Sequence, residues 1–469
     1  MARALQDAHS ERSETSESAI LARLDRLPAT RYMWKLVVLL SLGGCFEFYD
    51  VFMTAYITPG LVAAHIFSTT NLGLFGLSDQ ATFAASNFAG LFIGTIVFAQ
   101  LTDLLGRKSI FTWALIWYTV ATFIMACQSS AIGIDIWRFI AGVGIGIELV
   151  TIDTYITELV PGHVRGRAFA INQTIQFSAV PTVAFLCWLL IGKTYIGLPG
   201  WRIVMLLGTS GAAAVWFIQS QMPESPRWLL QRGRQAEAEQ ITRKIERQVE
   251  MDMGRALPSP GKHAIEPHIK GRLSDAFRAP YLGRTLMLTV FNFFQTIGFY
   301  GFGNWVPSLL VSQGATVTHS LKYSFVIAIA YPIGPLLCYF IADRFERKWQ
   351  IVTAAAITAC FGLLFSHQHA AITLIACGVI ITLSNNLLSY AYHAYQAELF
   401  PTSIRARAVG FVYSWSRLST VLTSFMIGFF LHHVGSSGVF AFIATSMAVV
   451  IIVIGAFGPR TRGLSLEDI

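Results

Sequence analysis

Charge is scarce in this chain: Asp, Glu, Lys and Arg make up 13% of its 469 residues, about half the share of an ordinary soluble domain. That shortage excludes a protein solvated by water over its whole surface. Cysteine is sparse as well. The six (Cys45, Cys127, Cys187, Cys338, Cys360 and Cys377) fall inside or at the ends of apolar stretches and show no C-x-x-C spacing, so they read as small core residues, with neither a disulfide framework nor a metal site among them. The sequence has no Gly-rich phosphate loop, no H-E-x-x-H and no nucleophile elbow in a credible context, so an enzyme reading has nothing to stand on and no cofactor is called for. A cleavable signal is missing too: residues 1–33 are polar, with scattered Ser, Glu and Arg and no short apolar core, and read as a mobile cytoplasmic tail.

Apolar residues are what the chain has in plenty, at 54% of the total with 35 Phe and 11 Trp. Its solvent is mostly lipid. Runs of about 18 to 25 apolar residues bounded by charge or Pro/Gly mark transmembrane helices. Twelve are found, centred near residues 46, 92, 117, 146, 179 and 210, then 296, 330, 357, 382, 419 and 446. The fold class is an all-α membrane protein of twelve transmembrane helices.

The loops between these runs repeat. Asp103, Arg107 and Lys108 in TDLLGRKSIF are answered 240 positions later by Asp343, Arg347 and Lys348 in ADRFERKWQI. At the same offset Glu158, Pro161, Arg165 and Arg167 in ELVPGHVRGRA are answered by Glu398, Pro401, Arg405 and Arg407 in ELFPTSIRARA. Two motifs sharing one offset imply two homologous, pseudo-symmetric six-helix halves, an arrangement that secondary transporters build around a central site. The expected organisation is a tail over 1–33, a first half over 34–220, a cytoplasmic loop with short helices linking the halves over 221–282, a second half over 283–457 and a tail over 458–469. Lys and Arg gather on one set of connections, which places both termini in the cytoplasm. Retention of these cations and contact with anionic lipid heads account for the net charge of +8, so nucleic acid is not called for as a partner.

Together with PESPRWLL at Pro223 to Leu230, the duplicated loops resemble the major facilitator superfamily, in particular its branch of sugar porters, organic ion transporters and metabolite:proton symporters. The similarity runs over roughly residues 35 to 460. It implies a monomeric multi-pass protein of the bacterial inner membrane that works by alternating access. Two positions depart from the family pattern: Ala99 stands where the first loop motif usually has Gly, and Glu346 replaces the Gly of the second copy. The second gate loop is therefore expected to be looser or differently latched.

Independently of that resemblance, the loop charges read as latches. The Asp103 carboxylate is placed to accept from Arg107 or to cap a neighbouring helix, and an ion pair present in one arrangement of the halves biases the gate. Arg107, Lys108, Glu158, Arg165, Asp343, Arg347, Glu398 and Arg405 form the gating set. The bland alternative is that these charges only retain loops in the cytoplasm.

A charge inside a span costs about 2.5 to 3.5 kcal/mol or more and normally faces a cavity. Glu47 and Asp50 lie three apart in the first span, Arg138, Glu148 and Asp153 lie in the fourth, and Arg417 in the eleventh. At about 1.5 Å per residue, Asp50 lies ~8 Å below the outer edge of a ~30 Å core and Arg138 ~9 Å below the same edge, so the two are expected to meet. The pair is either a proton-coupling site or a fixed structural ion pair. Here Phe48–Tyr49–Asp50 and Trp137–Arg138–Phe139 resemble the F-G-Y-D motif and the Arg of proton-coupled sugar porters. Glu148 follows GVGIGI, a small-residue face suited to close packing, and resembles the acidic residue after G-x-G-x-G in phosphate and organic cation transporters. It is a second proton site, a cation contact or a residue bonded within the bundle. Asp153 and Glu158 sit nearer the cytoplasmic edge.

Arg417 lies about 14 Å into its span, with no acidic residue in its own helix. Its planar fork suits a carboxylate, and a resembling Arg occurs in organic anion transporters; the alternative is a latch to Glu47 or Glu148. The remaining cavity candidates are Asn292, Gln295, Tyr300 and Asn304 in span seven, Tyr390 and His393 in span ten, and Gln173 in span five, with Glu47 beside them. That mixture suits a ring-bearing or hydroxylated small molecule. The expected function is proton-coupled transport of a small organic acid, an aromatic or pyridine carboxylate among the options. Protons and membrane lipid are its other partners. A sugar or organic cation carrier is the alternative within the class, and a non-transporting ligand sensor the alternative outside it.

Overall fold

In lipid every backbone N–H and C=O must be satisfied within its own segment, and the apolar runs accordingly form helices. The computed structural model describes residues 19–68, 78–211, 217–218, 220–259, 272–341, 345–401 and 404–461. The first half holds α1 (Arg31–Ala63), α2 (Asp79–Leu105), α3 (Arg107–Ala126), α4 (Ala131–Leu159), α5 (Gly162–Phe177), α6 (Ala179–Leu190) and α7 (Gly200–Gly208). Helices α5 and α6 form one span, and a short hairpin of β1 (Thr194–Tyr195) and β2 (Leu198–Pro199) leads into α7, which opens the sixth. Next come α8 (Pro226–Gln231) and α9 (Gln235–Met253) of the central segment. The second half holds α10 (Leu282–Gly303), α11 (Val306–Ser312), α12 (Val317–Ala328), α13 (Ala330–Ile341), α14 (Arg347–Ser366), α15 (Ala371–Glu398), α16 (Arg405–His433) and α17 (Ser436–Phe457), with α12 and α13 sharing one span. This is the expected twelve-helix fold.

Among the described residues, eight helical segments are long and apolar enough to cross a membrane by composition alone. Helices α10 and α16 fall outside that set. They carry Asn292, Gln295 and Thr296, and Ser414, Ser416, Arg417, Ser419 and Thr420. Polar content is tolerated at membrane depth where a helix faces protein or a cavity instead of lipid.

Each half buries its own core. One cluster draws on Phe52, Met53, Tyr118, Tyr155 and Met205, the other on Phe291, Phe302, Trp305, Phe365 and Phe440. Within the first half α2 and α4 approach at backbone distance. A methyl on Gly90 would lie 2.1 Å from the Phe139 carbonyl oxygen, and one on Gly146 2.3 Å from that of Leu91. The GVGIG stretch thus packs as its small residues imply. Across the halves α2 meets α16, α5 meets α13, and α6 meets α12.

The face that carries the described chain ends and the central segment is called the tail face below. On its far side the halves are sealed by aromatic edges and a hydrogen bond: Phe52 on Tyr331 at 5.2 Å, Phe88 on Tyr300 at 4.9 Å, and Gln80 Nε2 donating to Ser308 Oγ at 2.7 Å. The N-terminal segment departs from the expected mobile tail. Residues 19–25 are helical, and Ile20, Leu24 and Leu27 bury against Trp228, Leu229, Ile245 and Val249. Arg23 bridges to Glu246 and Glu239, each at 2.6 Å. Helix α9 supplies the other side with a narrow stripe of Ala238, Thr242, Ile245 and Val249, spaced for one helical face. The described central helices pack on the first half, α8 against α4 and α9 against α1, while residues 260–271 lie outside the described set.

Candidate functional site

A cavity lies between the halves, on the tail-face side of the aromatic seal. Its walls come from α1, α4 and α5 of one half and α10, α15 and α16 of the other. Glu47, Gln173, Gln295, Tyr300, His393 and Arg417 line it, all of them candidates from the sequence. Residues that the sequence reading did not place in the site also line it, among them Asp153, Tyr413 and Ser416 and an apolar side of Phe48, Phe177 and Phe299. Tyr413 and Ser416 precede Arg417 by four and one positions and share its face, a signal that was available. Asp153, read as an edge charge, opens into the cavity.

Arg417 is 4% exposed and has no carboxylate within ion-pair distance among the described residues. One Nη2–H donates to the Tyr413 hydroxyl at 3.0 Å, the guanidinium lies over the Tyr413 ring at 4.9 Å, and Nε has no partner. The latch to Glu47 or Glu148 is absent from this arrangement. Glu47 and Glu148 are both buried, and none of their four carboxyl oxygens has a hydrogen-bond partner among the described residues. Helix α1 makes room for Glu148 at Gly43, one turn from Glu47, where an added methyl would lie 3.3 Å from Glu148 Oε1.

Asp50 and Arg138 meet as the depth count implies. Arg138 Nη1 donates to Asp50 Oδ2 at 2.8 Å, Nη2 donates to the Asp50 carbonyl and to Thr54 Oγ1 at 2.5 Å each, and Thr122 Oγ1 donates to Asp50 Oδ1 at 3.0 Å. The pair is fully enclosed, and neither member lines the cavity.

Three polar candidates stand elsewhere. Asn292 is buried one turn toward the tail face from Gln295, donating to the Leu288 carbonyl at 2.8 Å. Asn304 caps the end of α10 beyond Tyr300, buried with neither side-chain atom bonded. Tyr390 is not part of the cavity wall.

The gate loops show their repeat in space. Arg107 pairs with Glu158 at 3.0 Å, and the equivalent Arg347 pairs with Glu398. Tyr155 donates to the Pro223 carbonyl, and Tyr395, 240 positions on, to the Pro459 carbonyl. Glu224 of PESPRWLL caps α3 by accepting from the backbone N–H of Arg107 and of Lys108 at 3.1 and 3.2 Å, a favourable place for a carboxylate at a helix N-terminus. Arg165 donates to the Thr157 carbonyl at 3.0 Å, and Arg405 to that of Phe400 at 3.1 Å. Glu346 accepts from the Thr461 N–H at 3.0 Å, so the residue that departs from the family Gly fastens the C-terminal segment to the second gate loop. Asp343 and the side chain of Asp103 lie outside the described residues.

Two helical halves, a polar cavity between them and matching ion-paired loops in each half are the architecture of a secondary transporter. Residues 36–469 match the profile of the sugar (and other) transporter family. The chain belongs to that family, within the major facilitator superfamily, and is a transporter, not an enzyme. It is 31% identical over 442 residues to YyaJ of Bacillus subtilis (strain 168), a protein assigned to metabolite transport, covering 94% of this chain and 95% of that one. To the inner membrane metabolite transport protein YdjE of Escherichia coli (strain K12) it is 29% identical, covering 96% and 97%. To the niacin transporter NiaP of Acinetobacter baylyi it is 27% identical, covering 96% and 99%. Among solved structures, the partially occluded inward-open form of the xylose transporter XylE from E. coli superposes with a TM-score of 0.71 at 18% identity, covering 92% of this chain and 99% of that one. The protein is a multi-pass protein of the inner membrane that carries a small molecule.

The gate pairing makes a test. With Glu158→Gln, Arg107 loses its charge partner some distance from the cavity, so turnover is expected to fall severalfold while substrate affinity stays within about twofold. Stopped-flow uptake and equilibrium binding on the same preparation measure both; a large affinity loss at unchanged turnover contradicts a gating role.

Proposed function

We propose that this protein moves a small organic acid across the inner membrane together with a proton, by alternating access, with the tail face in the cytoplasm. The observation that carries the reading is Arg417, a buried guanidinium that opens into the cavity with a phenol as its bonded partner and, among the described residues, no carboxylate in ion-pair reach. A cation held in a low-dielectric site needs an anion, and a substrate carboxylate supplies one in the planar, two-bonded geometry that guanidinium prefers. Gln173, Gln295, Tyr300 and His393 then contact the rest of the molecule, and Phe48, Phe177 and Phe299 cover its apolar face. Asp50 exchanges the coupled proton when a rearrangement of α1 against α4 within the first half draws it away from Arg138, and Glu148, buried without a partner among the described residues, is the second group in that path. The niacin transporter among the relatives, itself a carrier of a ring carboxylate by name, fits this reading. The transporter works as a monomer surrounded by lipid.

A second reading has its own support: Glu47 and Asp153 both face the cavity, and two acids against one guanidinium suit an organic cation or, through hydrogen bonds, a sugar. Repeated gate pairs in both halves count against a non-transporting sensor. Uptake by proteoliposomes, competed by the acid, the amide and the alcohol of one ring compound, decides. The acid is expected to compete at least tenfold better than the amide; equal competition by the amide removes the carboxylate reading and brings the neutral-solute or cation reading forward.

A further inference from the structure

The cavity holds a titratable ring whose bonding is fixed on one side only. His393, on α15, stands exposed on the cavity wall, with Nδ1 2.7 Å from the carbonyl oxygen of Ser389 one turn earlier. A carbonyl only accepts, so Nδ1 carries a proton, and a neutral imidazole bonded this way keeps the lone pair of Nε2. The ring is backed by Tyr392, with centroids 4.1 Å apart at 31°, and faces Tyr413 at 5.7 Å. Tyr413 also spans the way to Arg417, whose Nη2–H its hydroxyl accepts at 3.0 Å. Imidazole and guanidinium therefore both stand against the Tyr413 ring on one stretch of the cavity wall.

On the carboxylate reading just proposed, we infer that His393 is the specificity-determining residue for the other end of the substrate, and that the preferred substrates are ring carboxylates bearing a hydroxyl or amino group remote from the carboxylate. That group donates to Nε2. A methoxy oxygen or a bare ring nitrogen at the same place sets lone pair against lone pair, and an unsubstituted ring leaves Nε2 unpaired. A site that bonds a polar substituent rejects the analogue that lacks it, because a substrate ring that covers Nε2 without bonding it leaves that atom without a partner.

The test measures binding of benzoate, 3- and 4-hydroxybenzoate and 4-methoxybenzoate to the purified full-length protein by calorimetry, with thermal shift as the check on folding. In the wild type at least one hydroxybenzoate is expected to bind about 5- to 150-fold tighter than benzoate and than the methoxy compound. That ratio is expected to fall to about one in His393→Phe and to survive in His393→Gln, whose amide oxygen still accepts. Binding of both hydroxybenzoates no tighter than that of benzoate or of 4-methoxybenzoate, or an unchanged ratio in folded His393→Phe, overturns the assignment. Should His393→Phe fail to fold, the wild-type comparison and His393→Gln decide between the same outcomes. If benzoate binds and no hydroxyl adds affinity, the His393 inference alone falls; if benzamide binds as well as benzoate, the carboxylate reading falls with it.

Discussion

Asp50→Asn is expected to abolish proton-driven accumulation of substrate against its gradient while counterflow in proteoliposomes stays within several-fold of wild type. Coupling requires a group that alternates between a charged, paired state and a protonated, separated one, and an amide has a single state. The geometry makes the substitution nearly isosteric: Thr122 and Arg138 Nη1 retain an oxygen or amide to meet, and the bond from Arg138 Nη2 to the residue-50 carbonyl is untouched. The guanidinium nevertheless keeps its charge at 0% exposure. Removing one partner of a buried ion pair destabilises by about 3 to 5 kcal/mol. A lowered melting temperature is therefore expected alongside the transport defect, and counterflow separates the two, because an unfolded transporter exchanges nothing. Accumulation at the wild-type level would place coupling elsewhere, with Glu148 the next candidate.

Arg417→Lys is expected to weaken substrate binding by about 1 to 3 kcal/mol, about 5- to 150-fold. Lysine preserves the charge and loses both the two-pronged geometry and the guanidinium's contact with the Tyr413 ring, seen at 4.9 Å, so the experiment isolates shape from charge. The contrary account is a latch between the halves that forms with Glu47 or Glu148 in another state of the cycle. It makes Arg417→Lys mild and lets an exchange of charges between Arg417 and its partner restore transport. Binding constants for the single variant and uptake by the exchanged pair distinguish the two accounts.

Much of this was open to reading without coordinates. Counting residues from the membrane edge sufficed to bring Asp50 and Arg138 together, because rise along a transmembrane helix is constant. The repeat sufficed to make Arg347 and Glu398 the counterparts of Arg107 and Glu158, since equivalent residues in homologous halves occupy equivalent places, but it offered Asp103 as the partner of Arg107, and the pairing of each Arg with its Glu came from the structure. It did not reveal Glu224 as the cap of α3, or Glu346 as the anchor of the C-terminal segment, because each joins elements far apart in sequence. The N-terminal segment was misjudged for a related reason. Ile20, Leu24 and Leu27 form a stripe too short to hold a helix alone, and only the facing stripe of α9 gives it something to bury against.

By itself the sequence determined the number of spans and their pairing into two halves, and it brought Asp50 level with Arg138, because bilayer thickness prescribes helix length and duplication prescribes correspondence. The tertiary structure decided which polar side chains share one space. Rotation of each helix about its axis, and the level at which packed aromatic residues close the cavity, follow from contacts between helices. For that reason Gln295 lines the cavity while Asn292, one turn away on the same stripe, bonds to its own helix, and Asp153 joins the site while Asp50 is held by Arg138 outside it.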